Sequence, residues 1–389
     1  MREILGTANQ DLLHQIRVLR ELIDEARVPD ELTPYVRQVQ ALCEDLRQRA
    51  QLNLADLEDD LRDTFVDILN DTQVITTGFE LVNSILALPI VRSRHEDRLA
   101  LGVLKWLHEG HQATEAIPFG FTDRGFAVYP PRAPFPPVYF LPVSRQRTLL
   151  YLPLLFHEFG HVLYVCHEDE LGSPIERFQQ SVASTLAPVT VRPGGPSRRE
   201  ASFRQALVNA WFLWLLELFC DAVGITIGGP CFLLAFSSYF CARSSEHYYL
   251  PRGTQLQREH PVTWIRTKML VDRARKLGFV SLAADVEQSW QAIAETMGIQ
   301  EDYQGTWSEE FFLPLRQTLD EMLQVAQPRH CTREDIDVPA GTELDSPVRL
   351  LNVAWDRFGC EPGSYAQWEK GQIERLIRGP HPGDTRQDD

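Results

Sequence analysis

The chain has 389 residues, of which 44% are hydrophobic and 24% are charged, close to ordinary usage in globular proteins. This length predicts two or three compact units, and the composition excludes a wholly disordered chain and a coiled-coil rod. The formal net charge of -16 disfavours nucleic acids and anionic membranes as partners.

The cysteines and the N-terminal segment indicate a cytoplasmic protein. Seven cysteines are scattered without CxxC spacing, and several lie in apolar runs, which is typical of reduced core residues. The segment that begins at Met1 lacks a charged stretch followed by a long apolar one, so we expect no signal peptide. We therefore expect a cytoplasmic location without membrane attachment.

Residues 1–92 are predicted to form helices. Apolar residues recur at helical spacing, for example at Ile16, Leu19 and Ile23, and the outer faces are acidic. The region has no cluster of residues with catalytic chemistry. We expect a helical domain that serves packing or docks a regulatory protein partner.

Between about 94 and 146 the pattern changes to short strands. Residues 126–129 and 138–141 have strand-forming composition and flank a proline-rich turn, which predicts a small sheet or hairpin. Pro153 fits the first turn of the following helix, which we expect to extend to about Cys166.

The segment after this helix is predicted to alternate between loop and helix. Residues 168–198 contain several glycines and prolines and are predicted to form an irregular connection beside a substrate cleft. A capping-box signature at Ser197 opens a helix that extends to Ile227. Because acids and a Gly-Gly-Pro break interrupt the apolar stretch 206–241, we expect buried helices there, not a transmembrane segment.

The C-terminal part is predicted to be helical, with amphipathic patterns at 308–326 and 363–378. We expect a mainly α protein with a small β element, in which helical N- and C-terminal regions flank a zincin-like catalytic core. The predicted divisions are a helical domain at 1–92, the core at 93–300, a helical extension at 301–378 and a disordered tail at 379–389.

The segment HEFGH at residues 157–161 carries the clearest chemistry. On a helix, His157 and His161 project from one face and can share one metal ion. Glu158 is placed where a carboxylate can activate a metal-bound water as general base. The alternative is that all three are core residues satisfied by hydrogen bonds. The helix is apolar on most sides, however, so three buried polar groups within one turn need a reason.

A catalytic zinc ion needs a third protein ligand, and the sequence offers Glu217. Glu217 and Asp221 are spaced i and i+4 on an apolar helix, where two acids are costly without a cation or donors. We predict that Glu217 binds the metal and that Asp221 accepts a hydrogen bond from a ligand histidine. The alternative is a pair of acids bonded only to arginine or backbone groups.

HEFGH followed by ELFCD at residues 217–221 resembles the HExxH plus ExxxD pattern of gluzincin metallopeptidases, whose glutamate is the third zinc ligand. The segment HPVTWIR at residues 260–266 is similar to the HPxxxxR element of HtpX-type and CAAX prenyl peptidases. This resemblance implies a position near the substrate cleft for His260 or Arg266. Gluzincin folds also place an edge strand before the HExxH helix, a role open to residues 137–143.

Other candidate residues are less specific. His260 or a tyrosine could stabilise the oxyanion, and a cluster at residues 247–249 supplies a histidine and two tyrosines. His108 and His111 are one residue short of an i, i+4 pair, so we expect solvated histidines at a helix end, not a second metal site.

These observations predict a zinc-dependent metallopeptidase that hydrolyses peptide bonds. Zn2+ is the expected cofactor, Glu158 and His260 are the expected catalytic residues, and a protein or peptide is the expected substrate. A narrower form is a regulatory protease with a restricted protein substrate. The alternative class is a non-catalytic protein that keeps zinc as a structural element and binds a partner.

Overall fold

The computed structural model is mainly α-helical with one small β-sheet. Among the residues that the structure describes, helices account for 77% and strands for 4%, which confirms the mainly α fold class with a small β element expected from the sequence. The zincin-like character of the core stays a prediction. The residues that the structure describes are 2–58, 65–186, 198–241, 260–296, 298, 307–339 and 341–378.

Contacts divide the chain into two compact units, which are described separately. The first comprises Met1–Lys105, Ala116–Arg147 and Gln372–Asp389, and the second comprises Trp106–Glu115 and Thr148–Gly371. The predicted division at residues 92 and 300 stays a prediction.

The first unit is built on three long helices, α1 (Arg2–Glu25), α2 (Thr33–Glu58) and α3 (Phe65–Leu81). Their apolar residues recur every three or four positions, so each helix buries one stripe against the other two. A π-helical turn and α4 (Leu88–Val91) follow α3, and α5 (Arg98–Glu109) continues from the first unit into the second. The helices predicted for residues 1–92 are confirmed in the described part of that region.

The small sheet also belongs to the first unit. Its strands β1 (Gly120–Asp123), β2 (Ala127–Tyr129) and β3 (Val138–Leu141) pair in the order β1-β3-β2. β1 is parallel to β3, and β2 is antiparallel to it. The two predicted strands are β2 and β3. β1 was not predicted, because its sequence GFTD begins with glycine and ends with aspartate, two residues that are depleted in strands.

The predicted peptide-binding edge at residues 137–143 is wrong. β3 is the central strand and is paired on both sides, and all four of its residues are buried. A strand with neighbours on both sides has no free row of backbone donors and acceptors to which a substrate strand can add.

The second unit contains most of the remaining helices. A short 3-10 turn with Pro153 leads into α6 (Leu155–Cys166), as predicted. The following helices are α7 (Glu168–Thr185), α8 (Arg198–Gly228), α9 (Pro230–Cys241), α10 (Thr263–Lys276), α11 (Val280–Thr296), α12 (Phe312–Ala326), α13 (Pro347–Cys360) and α14 (Pro362–Arg378), which continues into the first unit. α8 packs against α6, α7, α9, α10 and α12 and is the central helix of the unit.

The irregular connection predicted at residues 168–198 is wrong for its first part. α7 occupies Glu168–Thr185 and includes Pro174 in its interior. Leu171, Ile175 and Phe178 lie on one buried stripe, and burial of such a stripe outweighs the local cost of proline. Residues 187–197 lie outside the described part of the chain.

Two described helical stretches are long and apolar enough to cross a membrane by length and composition. They are Phe65–Val91 and Ser202–Gly228, and 39% and 83% of their most apolar windows are buried within the protein. Core helices of soluble proteins meet the same criterion, so two such stretches are weak evidence. The expectation of a cytoplasmic protein stays a prediction.

Candidate metal centre

The centre lies where α6 and α8 cross. A Cβ atom placed on Gly160 would lie 2.7 Å from Cys220 Cα and 3.0 Å from Cys220 Cβ. Side chains do not approach backbone this closely, so this crossing requires glycine. The glycine of HEFGH therefore brings α8, with Glu217, Cys220 and Asp221, against the histidines of α6.

Gly160→Ala is expected to destabilise the protein by about 1–3 kcal/mol, because the added methyl group forces the two helices apart. Urea unfolding followed by circular dichroism measures this change. The matched control is Gly172→Ala in α7, where a Cβ atom meets nothing within 4 Å. That control should be stabilised by roughly 0.5–1 kcal/mol. Equal stability of the two variants would contradict the close crossing.

His157 lies between the two acids of α8. Its Nδ1 atom is 2.8 Å from Asp221 Oδ1, and its Nε2 atom is 3.4 Å from Glu217 Oε2. With Asp221 as the acceptor, Nδ1 carries the hydrogen, and Nε2 is directed towards Glu217. This is the arrangement by which metal proteins orient a ligand histidine.

His161 completes a group of two imidazoles around one carboxylate. Its Nε2 atom lies 3.6 Å from Glu217 Oε1. Ligand atoms about 2.0–2.1 Å from a tetrahedral zinc ion are roughly 3.3–3.4 Å apart. The separations of Glu217 from both histidines are close to this value, so the three predicted ligands are brought together.

Cys220 adds a donor that was not predicted from the sequence. His157, His161 and Cys220 each offer one ligand atom, and these atoms all lie within 4.8 Å of one another. This largely buried group could hold a metal ion. The available signal was the position of Cys220 inside ELFCD, one helical turn after Glu217 and next to Asp221.

Glu217 Oε2 is a buried oxygen without a hydrogen bond. It lies 3.1 Å from His260 Nε2 and 3.8 Å from Arg266 Nη2, but no donor points at it with hydrogen-bond geometry. A buried, ionised carboxylate oxygen without a donor is costly unless a cation compensates it. This oxygen fits the role of a metal ligand.

Arg266 binds Asp221 beside His157, and both side chains contact Asp221 Oδ1. Its Nε and Nη2 atoms each donate to one oxygen of Asp221 at 2.7 Å. The guanidinium is buried against the neighbouring rings of Phe236 and Phe240, 5.1 Å from each centroid. The arginine of the HPxxxxR element is thus directed at Asp221, and this bidentate pair fixes the carboxylate that orients His157.

The charges of the two acids follow from these contacts. Burial favours a neutral Glu217, but its contacts with His157 and His260 outweigh burial and hold its pKa well below the usual range. For Asp221, burial is likewise outweighed by Arg266 and His157, and its pKa is lowered. Both carboxylates are therefore ionised, and Glu217, whose Oε2 atom lacks a hydrogen bond, is available to a cation.

The other titratable groups of HEFGH respond to burial in different ways. Burial raises the pKa of Glu158 to about 7 and lowers the pKa of His161 to about 4. For His157, its contacts with Asp221 and Glu217 overcome the effect of burial and raise its pKa to about 10. The two carboxylates of α8 thus favour a positive charge at this position.

Two histidines mark the open side of the centre. The side chain of His157 is 9% exposed, whereas that of His161 is 26% and that of His260 is 55% exposed. Glu158 is buried and has no hydrogen-bond or ion-pair partner among the described residues. Solvent and ligands thus reach the centre from the side of His161 and His260.

The expectation of solvated histidines at positions 108 and 111 is wrong. Both are buried against the ring of Phe159, the third residue of HEFGH. His111 Nδ1 lies 2.7 Å from Leu107 O, and its Nε2 accepts the backbone N–H of Arg329 at 2.9 Å. Both ring nitrogens of His111 are engaged, and the ring is neutral. His111 therefore supports α6 and is not available to a second metal ion.

Some predicted residues lie outside the described part of the chain. They are the oxyanion candidates at 247–249, the helix-capping Ser197 and the polar tail at 379–389. Their roles stay predictions.

Comparisons with protein-family models, curated proteins and solved structures gave no match for this chain. The chemistry of the centre is therefore inferred from its own geometry. The donor set consists of two imidazoles, a carboxylate with an unsatisfied oxygen and a thiol, with a further carboxylate at Glu158. This set can bind a metal ion and hold a proton acceptor beside it.

Proposed function

We propose that the protein is a zinc-dependent metallopeptidase that hydrolyses peptide bonds. The observation that carries the proposal is the state of Glu158, a buried carboxylate beside the ligand histidines with no partner among the described residues. A structural metal site has no use for such a group, whereas metal-assisted hydrolysis requires a base beside the ion.

Zinc is the ion that best fits the donors. Imidazole nitrogen, carboxylate oxygen and thiolate are all good zinc ligands, while calcium and magnesium prefer oxygen ligands. His157, His161 and Glu217 would hold the ion. When bound, zinc supplies a Lewis acid that polarises a peptide carbonyl and lowers the pKa of a water molecule.

Glu217 is our choice for the third ligand over Cys220. Its oxygens lie 3.4 and 3.6 Å from the two Nε2 atoms, and its Oε2 atom lacks a hydrogen bond. Cys220 has a separate role, because it forms the contact surface for Gly160 at the helix crossing. With three protein ligands, the fourth position stays open to substrate.

The remaining residues have distinct tasks in the proposed reaction. Glu158 takes a proton from the attacking water and delivers it to the leaving amine. His260, on the open side, donates a hydrogen bond to the oxyanion of the substrate. Asp221, held by Arg266, keeps Nε2 of His157 directed at the centre.

One observation favours a second candidate, a zinc-containing scaffold without catalysis. If Cys220 binds the metal together with His157, His161 and Glu217, four protein ligands close the coordination sphere, as in structural zinc sites. In that case the protein binds a partner and does not hydrolyse peptides.

Metal analysis of the purified protein tests the proposal. We expect about one equivalent of zinc, because the described residues form one such donor group. Elemental analysis measures it, and a library of quenched fluorescent peptides measures hydrolysis. Protein that neither contains zinc nor takes it up on addition would contradict the proposal. One equivalent of zinc without any cleavage would favour the scaffold.

A further inference from the structure

The outward face of α3 carries uncharged residues where a helix at a protein surface usually carries charges. Its inward face is fixed in the first unit, where Thr72 receives a hydrogen bond of 2.9 Å from buried Asn9. The opposite face presents Asn70, Val74 and Thr77, all of them exposed, and Val74 is 54% exposed.

This face forms one wall of a groove. Tyr129 of β2 and Phe135 of the following turn form the other wall, and both walls belong to the first unit. The groove has a volume of about 700 Å3 and is open to solvent. We call it the α3 groove, and it is lined by Asn70, Gln73, Val74, Thr77, Gly78, Leu81, Tyr129 and Phe135.

The lining is apolar and aromatic with a few amide and hydroxyl groups, and it includes no charged residue. Such surfaces on soluble proteins mark sites where another apolar surface binds. Gly78 also serves the packing of α3 on α2, because a Cβ atom there would lie 3.1 Å from Leu46 Cδ2. An amphipathic helix is an element that can place one apolar face against such a lining.

Charge determines which helix fits. α3 contains three acids, Asp67, Asp71 and Glu80, and neither lysine nor arginine. Arg49 pairs with Asp71, whereas Asp67 and Glu80 are exposed beside the groove face. These acids attract basic partners and repel both nucleic acids and anionic membranes.

We propose that the α3 groove binds an amphipathic helix of a partner protein that carries basic residues beside its apolar face. The apolar face contacts Val74, Leu81 and the two aromatic rings, and the basic edge faces Asp67 and Glu80. The groove lies in the first unit and the candidate metal centre in the second, so this proposal is independent of the metallopeptidase.

Binding of two synthetic amphipathic helices to the full-length protein tests the proposal. One consists of leucine and lysine and the other of leucine and glutamate in the same pattern, and isothermal titration calorimetry measures both. We expect the lysine peptide to bind and the glutamate peptide to bind at least about 10-fold more weakly. Val74→Glu should weaken binding of the lysine peptide at least about 10-fold, because it places a charge within the apolar contact.

Ile4→Glu is the matched control, because Ile4 is 74% exposed on α1 of the same unit and does not line the groove. It should leave binding unchanged, and circular dichroism confirms that both variants are folded. Equal binding of the two peptides, equal binding by wild type and Val74→Glu, or no binding at all would overturn the proposal. Binding to neutral lipid vesicles that Val74→Glu abolishes, without peptide binding, would identify a membrane surface instead and also overturn it.

Discussion

Glu158→Gln should lower peptide hydrolysis at least about 100-fold while zinc stays bound. The amide nearly preserves the shape of the side chain but cannot accept a proton. Zinc should be retained because Glu158 is not a proposed ligand and does not belong to the donor group that contains Glu217 and Cys220. A 100-fold loss corresponds to about 2.7 kcal/mol of transition-state stabilisation.

Glu170→Gln provides the control, because Glu170 is an exposed acid in the first turn of the neighbouring helix α7. This variant should cleave the peptide library at the wild-type rate and contain the same zinc. Metal content, measured in parallel, separates loss of the base from loss of the ion. A Glu158→Gln protein that keeps its zinc and cleaves like wild type would rule out the proposed mechanism.

Helix spacing in the sequence predicted which side chains share a face within each of the two segments of the centre. Residues at i and i+4 share a helix face, so HEFGH placed two imidazoles together and ELFCD placed two acids together. The apolar surroundings of both segments indicated burial, and buried polar groups need partners. The structure brings the two segments together at a crossing where Gly160 meets Cys220.

The proximity of Cys220 to the histidines was not predictable in this way. It depends on the distance between α6 and α8, which Gly160 sets through a tertiary contact that helix periodicity does not encode. The role of Arg266 is a similar case. Its partner Asp221 is 45 positions away in the sequence, and only the packing of α10 on α8 brings the two together.

Three predictions made from the sequence were wrong because tertiary packing determined the structure at those positions. Pro174 suggested a loop, but the buried stripe of α7 is long enough to offset one missing hydrogen bond. His108 and His111 suggested a solvated helix end, but Phe159 packs against both rings. The edge strand at residues 137–143 was expected from the resemblance to gluzincins, and the composition of β3 could not correct it because strand order is a non-local property.

Glu217→Ala should weaken zinc binding by more than Asp221→Ala does. Asp221 acts on the metal only through the ring of His157, and loss of such a partner typically costs about 10–100-fold in affinity. Glu217 is itself a proposed ligand, so its removal should exceed that range. Competition with a chromophoric zinc chelator measures both affinities, and thermal unfolding shows whether each variant is folded.

Cys220→Ala distinguishes the open site from the closed one. If Cys220 only packs against Gly160, the variant should keep zinc within a few-fold of the wild-type affinity and lose roughly 1 kcal/mol of stability from the small cavity. If Cys220 is a ligand, its loss should weaken zinc binding as strongly as Glu217→Ala does.

The order of the three affinities therefore decides the ligand set, since every variant changes one side chain of α8 within five consecutive residues. We expect Glu217→Ala to bind zinc most weakly, Asp221→Ala to be intermediate and Cys220→Ala to resemble wild type. Glu217→Ala with normal affinity and Cys220→Ala without zinc would reverse the assignment. That result would place a thiolate, not a carboxylate, at the third position of the centre.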